Sequence, residues 1–324
     1  MILIFLFILT GILFVGKIHS FLTYSNPVQS RNMLIEGWLN NYALEIAANK
    51  FKEGNYNKIL TTGGRLPDFF KLSVQGGIIF KLDEISLSVN SDQIEYISLK
   101  CYGYKAIGVF PHVNLWADST LIANFYVDRM EKEYSFKIPS SIKRIDKIIV
   151  EYTNDAYDEY SDRDLIISSI NIEGEVLPIR GKGRYFDEGK IDGHQLIEII
   201  ARDFAVQAAS MLKYYGVASE SIEAISPIDT EFNRTLKNAQ SVADWFKYNG
   251  DNIHSLNIIS FDTHTRRSLM IYKKILPSNI DLGIISIRNY NYDPNCWYMQ
   301  KSGIKAVFYE SIACVYYAVL LLFV

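Results

Sequence analysis

The chain has 324 residues, of which 49% are apolar and 21% charged, enough to bury one large core or two moderate ones and too apolar for a disordered chain. Its 33 basic and 36 acidic residues leave a net charge of -3 with no run of Lys and Arg to follow a phosphate backbone, so no nucleic-acid partner is expected. Three scattered cysteines, Cys101, Cys296 and Cys314, have neither metal-ligand spacing nor the density of a disulfide scaffold and read as small core residues.

The amino terminus carries no charge from Met1 to Gly16. That run is slightly short for a membrane span of roughly 17–25 residues, and reaches it if Lys17 snorkels and "IHSFLTY" continues the helix. With no basic segment ahead of the run and no small-residue cleavage site after it, an uncleaved single-pass anchor over residues 1–24 is favoured over a signal peptide. At the other end, "IACVYYAVLLLFV" is short for a second span and reads as a packed terminal helix.

After the anchor, "NMLIEGW" reads as a strand. In "NNYALEIAANKFKEGN", Leu44, Ala47, Ala48 and Phe51 fall at helical spacing, with Asn40 or Asn41 as cap and Gly54 as stop. "KILTTGG" is a second strand, completing a β-α-β unit. From about Lys71 to Arg180 the text turns to short alternating stretches rich in Ile, Val, Tyr and Phe ("FKLDEISLSV", "EYISLKCYGY", "HVNLWADS", "KIIVEY", "LIISSINI"), the pattern of a β-sandwich. Residues 181–199 read as a connector rich in Gly and charge. Helix and strand alternation then resumes through "ARDFAVQAASMLKYYGV", "SIEAIS", "NRTLKNAQSVADWFKYNG", "LNIIS", "HTRRSLMIYKKIL" and "GIISI". The expected fold is α/β: a Rossmann-like, doubly wound parallel sheet over residues 30–70 plus 200–322, with an all-β sandwich inserted at 74–180.

Between two strands of the insert, "YTNDAYDEYSDRDL" gathers Asp155, Asp158, Glu159, Asp162 and Asp164. Such a run is either a solvated turn or, if the loop folds back, a set of hard oxygen ligands for calcium, which takes six to eight oxygens. It lacks the Gly and Glu positions of an EF-hand. Asn154 and peptide oxygens near Tyr160 are candidate neutral ligands. Together with "FPHVNLWADSTLIANFYV", the block resembles the calcium-dependent xylan-binding type of carbohydrate-binding module, whose "NDxY...DRNLxVxxIxVNG" segment ends a β-sandwich. The resemblance implies calcium held by Asn154, Asp155, Asp162 and the peptide around Arg163, with Asp158 as an extra ligand, and a polysaccharide or cell-wall glycan coordinated through vicinal hydroxyls. Asp164 stands where the family has Asn. Tyr157 and Tyr160 lead the candidates for stacking on a sugar, ahead of Trp116, Tyr102 and Tyr104.

In the α/β frame, ligands are expected at the carboxyl ends of the strands. Glu36, the Gly63-Gly64 pair, "DTEFNRTLKN" and "FDTHTRR" all fall there. His264 and Arg267 share one face at a helix start, which suits a phosphate or carboxylate. In this order, "EGWLNNYALEIAANKFKEGNYNKILTTGG", "NRTLKNA" and "THTRR" resemble the ElyC/SanA/YdcF family of envelope-associated bacterial proteins. That resemblance implies a ligand site formed by Glu36, Gly63, Gly64, Arg234, Thr235, Asn238 and Arg266, and the expected placement leaves the bulk of the chain on the extracytoplasmic side of the membrane; as an enzyme, the protein would use His264 as acid/base and Arg234, Arg266 or Arg267 as anion clamps. One member type binds S-adenosylmethionine. The expected function is an anchored envelope protein that binds or processes an anionic, glycan-linked or nucleotide-like ligand while its insert holds polysaccharide. A non-catalytic assembly factor and a polysaccharide-degrading enzyme with an appended module are the alternatives.

Overall fold

The computed structural model describes residues 17–85, 94–158, 161–188, 197–227, 232–249 and 252–324. The chain forms two compact units, Met1–Arg65 with Asp203–Val324, and Leu66–Arg202.

The first unit opens with β1 (Asn32–Glu36), α1 (Asn41–Glu53) and β2 (Lys58–Thr62). Asn40 caps α1, accepting the Ala43 amide at 3.1 Å, and Gly54 closes it. The chain then builds the second unit from β3 (Phe70–Leu72), β4 (Gly76–Lys81), β5 (Tyr96–Gly103), β6 (His112–Ala117), β7 (Thr120–Tyr126), β8 (Lys132–Lys137), β9 (Lys147–Tyr152), β10 (Leu165–Ile172), β11 (Glu175–Leu177), β12 (Arg184–Asp187) and β13 (Ile197–Ile199). It returns to the first through α2 (Phe204–Tyr214), β14 (Ile222–Ile225), α3 (Arg234–Asn249), β15 (Ser255–Phe261), α4 (Thr265–Ile275), β16 (Asp281–Ile287) and α5 (Lys301–Leu320).

In the first unit the strands lie in the order β14-β2-β1-β15-β16, all paired in parallel. Strand side chains alternate between the two faces, and both faces are covered. Met33, Ile35 and Ile59 meet Ala43, Leu44 and Ala47 of α1 and Ala208 and Leu212 of α2. Leu34, Leu60 and Ile258 meet Leu236 and Ala239 of α3, Leu269 and Tyr272 of α4, and Tyr317 of α5. This double cover explains why Met33, Leu34 and Ile35, in the middle of β1, are all apolar.

The second unit packs two antiparallel sheets, β11-β10-β5-β8 with β3 also on β10, and β13-β12-β4-β9-β6-β7. Ile97, Leu99 and Cys101 of β5 and Leu165, Ile167 and Ile170 of β10 fill the space facing Val113 and Leu115 of β6 and Ile148 and Val150 of β9. Burial pushes the Cys101 thiol up to about 12, as expected of an inert core cysteine. Residues 181–199, which the sequence reads as a connector, contribute β12 and β13 to the larger sheet.

The amino-terminal segment does not bear out the expected anchor. Met1–Gly16 lies outside the described residues, but the extension that completes a span does not run on as a free helix. Residues 17–22 are helical, Leu22 is fully buried, and the Thr265 hydroxyl donates to the Leu22 carbonyl at 2.9 Å. Arg266 donates to the Phe21 carbonyl at 2.8 Å and lies over the rings of Phe21 and Tyr24. Among the described residues, the one helix long and apolar enough to cross a membrane by length and composition is α5, at the other end of the chain.

Candidate functional sites

The acidic loop folds back on itself. Tyr157 bridges Asp162, the Arg163 amide donates to the Ala156 carbonyl at 2.9 Å, and the Asp158 amide donates to the Ser161 carbonyl at 2.8 Å. The hinge of this fold is Arg163, buried in a unit where a free cation would be costly. Its guanidinium donates to three carbonyls, those of Val109, Ala106 and Asn154, and so ties the loop to the turn before β6. Its own carbonyl accepts the Tyr152 hydroxyl, which also reaches Asp155 Oδ1 at 3.4 Å.

The four expected metal ligands separate into two groups. Asn154 is a brace: its Oδ1 accepts the His112 amide at 2.7 Å and its Nδ2 donates to the Phe110 carbonyl at 3.0 Å. Asp158 caps its own turn, accepting the Ser161 amide at 2.8 Å and hydroxyl at 2.9 Å. Asp155 and Asp162 instead share a neighbourhood with Asp164. Partial desolvation of its carboxyl, with the charges of Asp164 and Asp155, pushes the Asp162 pKa above the ordinary carboxylate value. Asp164 is buried, with Oδ2 at 2.8 Å from Lys71 Nζ and Oδ1 without a hydrogen-bond partner. The orphaned buried oxygen of Asp164 is one oxygen of the kind a hard divalent cation takes, and Asp155 and Asp162 are near enough to feel its charge but stand too far apart to form a finished donor set. Asp155, Asp162 and Asp164 are the residues that would hold it. Among the described residues no group of three or more His, Cys, Asp or Glu is already gathered as a metal cluster. Tyr157, within the loop, is 78% exposed, Tyr104 stands at the loop's edge with its amide on the Asp164 carbonyl, and Tyr160 lies outside the described residues. Sequence reasoning left Asp164 open and missed Lys71, which lies outside the loop, and Tyr152, the last residue of β9 from which the loop starts.

In the first unit, the strand order reverses between β1 and β15, and their carboxyl ends open on a cavity of about 650 Å³. Trp38, Arg234, Thr235, Asp262, His264, Arg267, Lys305 and Glu310 are among its lining residues. Glu36, wholly buried at the end of β1, accepts hydroxyls from Ser260 and Ser268. His264 stands between two carboxylates, with Nδ1 at 3.1 Å from Glu310 Oε1 and Nε2 at 3.7 Å from Glu36 Oε1, and Nε2 has no hydrogen-bond partner. Burial alone would lower the His264 pKa, but the two carboxylates overcome it and hold the pKa above its ordinary value. Burial works against Glu310 ionising, yet His264 and Arg267 bring its pKa down to about 2. Asp262 and Asn233 hold left-handed backbone at φ 46° and 53°, strain of the kind that collects at functional sites.

The other expected ligand residues are placed differently. A side chain at Gly63 would strike Phe204 at 2.5 Å, so this glycine admits the start of α2, while Gly64 receives the Phe204 amide on its carbonyl. Asn238 is buried one turn beyond Arg234, its Oδ1 without a partner. Arg266 donates its Nε–H to the Phe21 carbonyl, lies over Phe21 and Tyr24, and is not among the residues lining the cavity. Lys305, from α5, supplies a cation that sequence reasoning did not assign.

Residues 96–187 match the family model of a calcium-dependent, xylan-binding carbohydrate-binding module, and this segment is a module of that type. The match spans β5 to β12, whereas β4, central in the larger sheet between β9 and β12, precedes it. Among solved structures, a vCBM60 in complex with galactobiose is similar at 15% identity, with 34% of this chain and 89% of that chain covered and a TM-score of 0.24. The selenomethionine form of vCBM60 is similar at 17% identity, covering 34% and 85%, also with a TM-score of 0.24. A search of curated proteins finds no match.

Proposed function

We propose that the protein binds polysaccharide through a calcium ion held by Asp155, Asp162 and Asp164. The observation that carries this reading is the buried, unpartnered Oδ1 of Asp164 beside two carboxylates, within the segment that matches the xylan-binding module. Calcium bound there supplies open coordination positions that take vicinal hydroxyls. The chain's own part is to fix the loop through Arg163, whose carbonyl accepts the Tyr152 hydroxyl, and offer Tyr157 to a sugar face. Retention on a xylan column in calcium, with release by a chelator, tests the reading, and retention that ignores the chelator contradicts it.

For the α/β unit the proposal is an anionic-ligand site of the ElyC/SanA/YdcF type on a Rossmann-like sheet. The strand order, the cavity at the point where that order reverses, and the cations Arg234, Lys305 and Arg267 around it support this. His264 faces Glu36 through Nε2, and its Nδ1 stands between Glu310 and the Arg267 guanidinium, so it orders the charged groups around the ligand. Binding of a glycan phosphate that is lost in His264→Ala is the expected result; unchanged binding removes the assignment.

A further inference from the structure

Beside the acidic loop, the larger sheet of the second unit carries a strip of side chains that the calcium site does not use. Along β6, Val113, Leu115 and Ala117 enter the core, which turns His112, Asn114 and Trp116 outward. On the neighbouring strands Tyr126 pairs with His112, Asn124 and Glu151 flank Asn114, and Leu121 and Ile149 flank Trp116. The rings of His112 and Tyr126 meet at 4.8 Å, and Tyr126 remains 59% exposed. Further along, one oxygen of Glu151 accepts both the Trp116 indole N–H at 2.8 Å and the Asn114 amide at 2.9 Å. With both donors on Oε2, the second carboxylate oxygen and Asn114 Oδ1 have no hydrogen-bond partner among the described residues and can accept from another molecule.

The strip is continuous with the loop. His112 donates its amide to Asn154 Oδ1 at 2.7 Å, and its Nδ1 lies 2.7 Å from the Thr153 hydroxyl. At about 3.3 Å per residue, His112 to Trp116 spans roughly 13 Å of strand. Aromatic rings alternating with amides and a carboxylate match the apolar faces and hydroxyls of successive sugars. The carboxylate argues against an acidic chain.

Resting on the reading of the loop as a glycan site, we infer that the outward face of β6 is a distal subsite for a neutral polysaccharide chain. The sugars beyond the calcium-held unit run along the strand, against Tyr126 and Trp116, with hydroxyls on Glu151, Asn114 and Asn124. The protein therefore recognises the interior of a chain rather than a single sugar, and affinity grows with chain length.

Calorimetric titration of the full chain in excess calcium with xylobiose and with xylohexaose tests this. Xylohexaose binds the wild type more tightly, and Trp116→Ala and Tyr126→Ala each weaken it by about tenfold while leaving xylobiose unchanged. Tyr126 is exposed, so its variant keeps the test open if Trp116→Ala fails to fold. Equal xylohexaose affinity in wild type and folded variants overturns the subsite, as does a parallel loss of xylobiose. Absence of calcium-dependent binding at either length in the wild type removes the glycan reading itself, and the inference with it.

Discussion

Lys71 Nζ lies 2.8 Å from Asp164 Oδ2, while the other oxygen of the same buried carboxylate has no partner. A lysine at that distance competes electrostatically with any cation that binds the carboxylates. Lys71→Met is expected to raise calcium affinity by a few fold, with the larger effect at low salt. Calorimetry with calcium measures this, and a weaker affinity would show that Lys71 positions Asp164 for the metal instead of competing with it.

Arg163 satisfies three carbonyls from two separate segments, so Arg163→Ala leaves them without donors. At about 1–3 kcal/mol for each buried group left unsatisfied, the module is expected to lose roughly 3 kcal/mol or more. Its melting transition should fall and its calcium response vanish. Arg163→Ala with a wild-type melting temperature would contradict the tethering role.

The Asp162 carboxyl has a raised pKa in the folded chain. The sign is that of an acid that binds its proton more readily when folded: its contribution to stability is greatest below the unfolded pKa and is lost as pH rises through the folded one. Calcium needs the deprotonated form, so the calcium-induced rise in melting temperature should shrink as pH drops toward the folded Asp162 pKa. In Asp162→Asn any remaining response should lose this pH dependence, and an unaltered profile would assign the titration to another group.

The alternating burial of β6 and the helical spacing in α1 and α2 were legible because each follows from a local period. The acidic loop was legible from composition. Which carboxylates converge was not, because that is decided by partners from elsewhere in the chain: Lys71 on Asp164, the Ala106 and Val109 carbonyls on Arg163, and the strand-end amide of His112 that occupies Asn154. The same holds for Arg266, whose helical position resembles an anion clamp until Phe21 and Tyr24 are folded against it. Residues 17–24 satisfied a length rule for a span, yet hydrogen bonds to α4 fix them to the α/β unit.

In the α/β unit, Glu310 holds Arg267 by two contacts at 2.9 Å and also faces His264. Glu310→Gln strands two partly buried cations and should cost roughly 2–3 kcal/mol, toward the low end for a broken buried pair because Glu310 retains 17% side-chain exposure. The His264 contribution to stability is fully present below its ordinary 6.5 and is lost as pH rises through its raised folded pKa. The Glu310 contribution is present above 4.5 and is lost as pH falls toward about 2. Titration of the His264 ring by NMR should give a lower pKa in Glu310→Gln than in wild type; an unchanged value would mean that Glu310 does not act on His264.

The central claim is that Asp155, Asp162 and Asp164 hold calcium and that the ion holds the sugar. Calorimetric titration of calcium into chelator-stripped wild type and into Asp164→Asn, each followed by titration with xylohexaose, tests it most directly. One calcium per wild-type chain, loss of that binding in Asp164→Asn, and xylohexaose heat only where calcium has bound are the expected results. Xylohexaose binding of equal strength in the stripped protein, or undiminished calcium binding in Asp164→Asn, would contradict the claim.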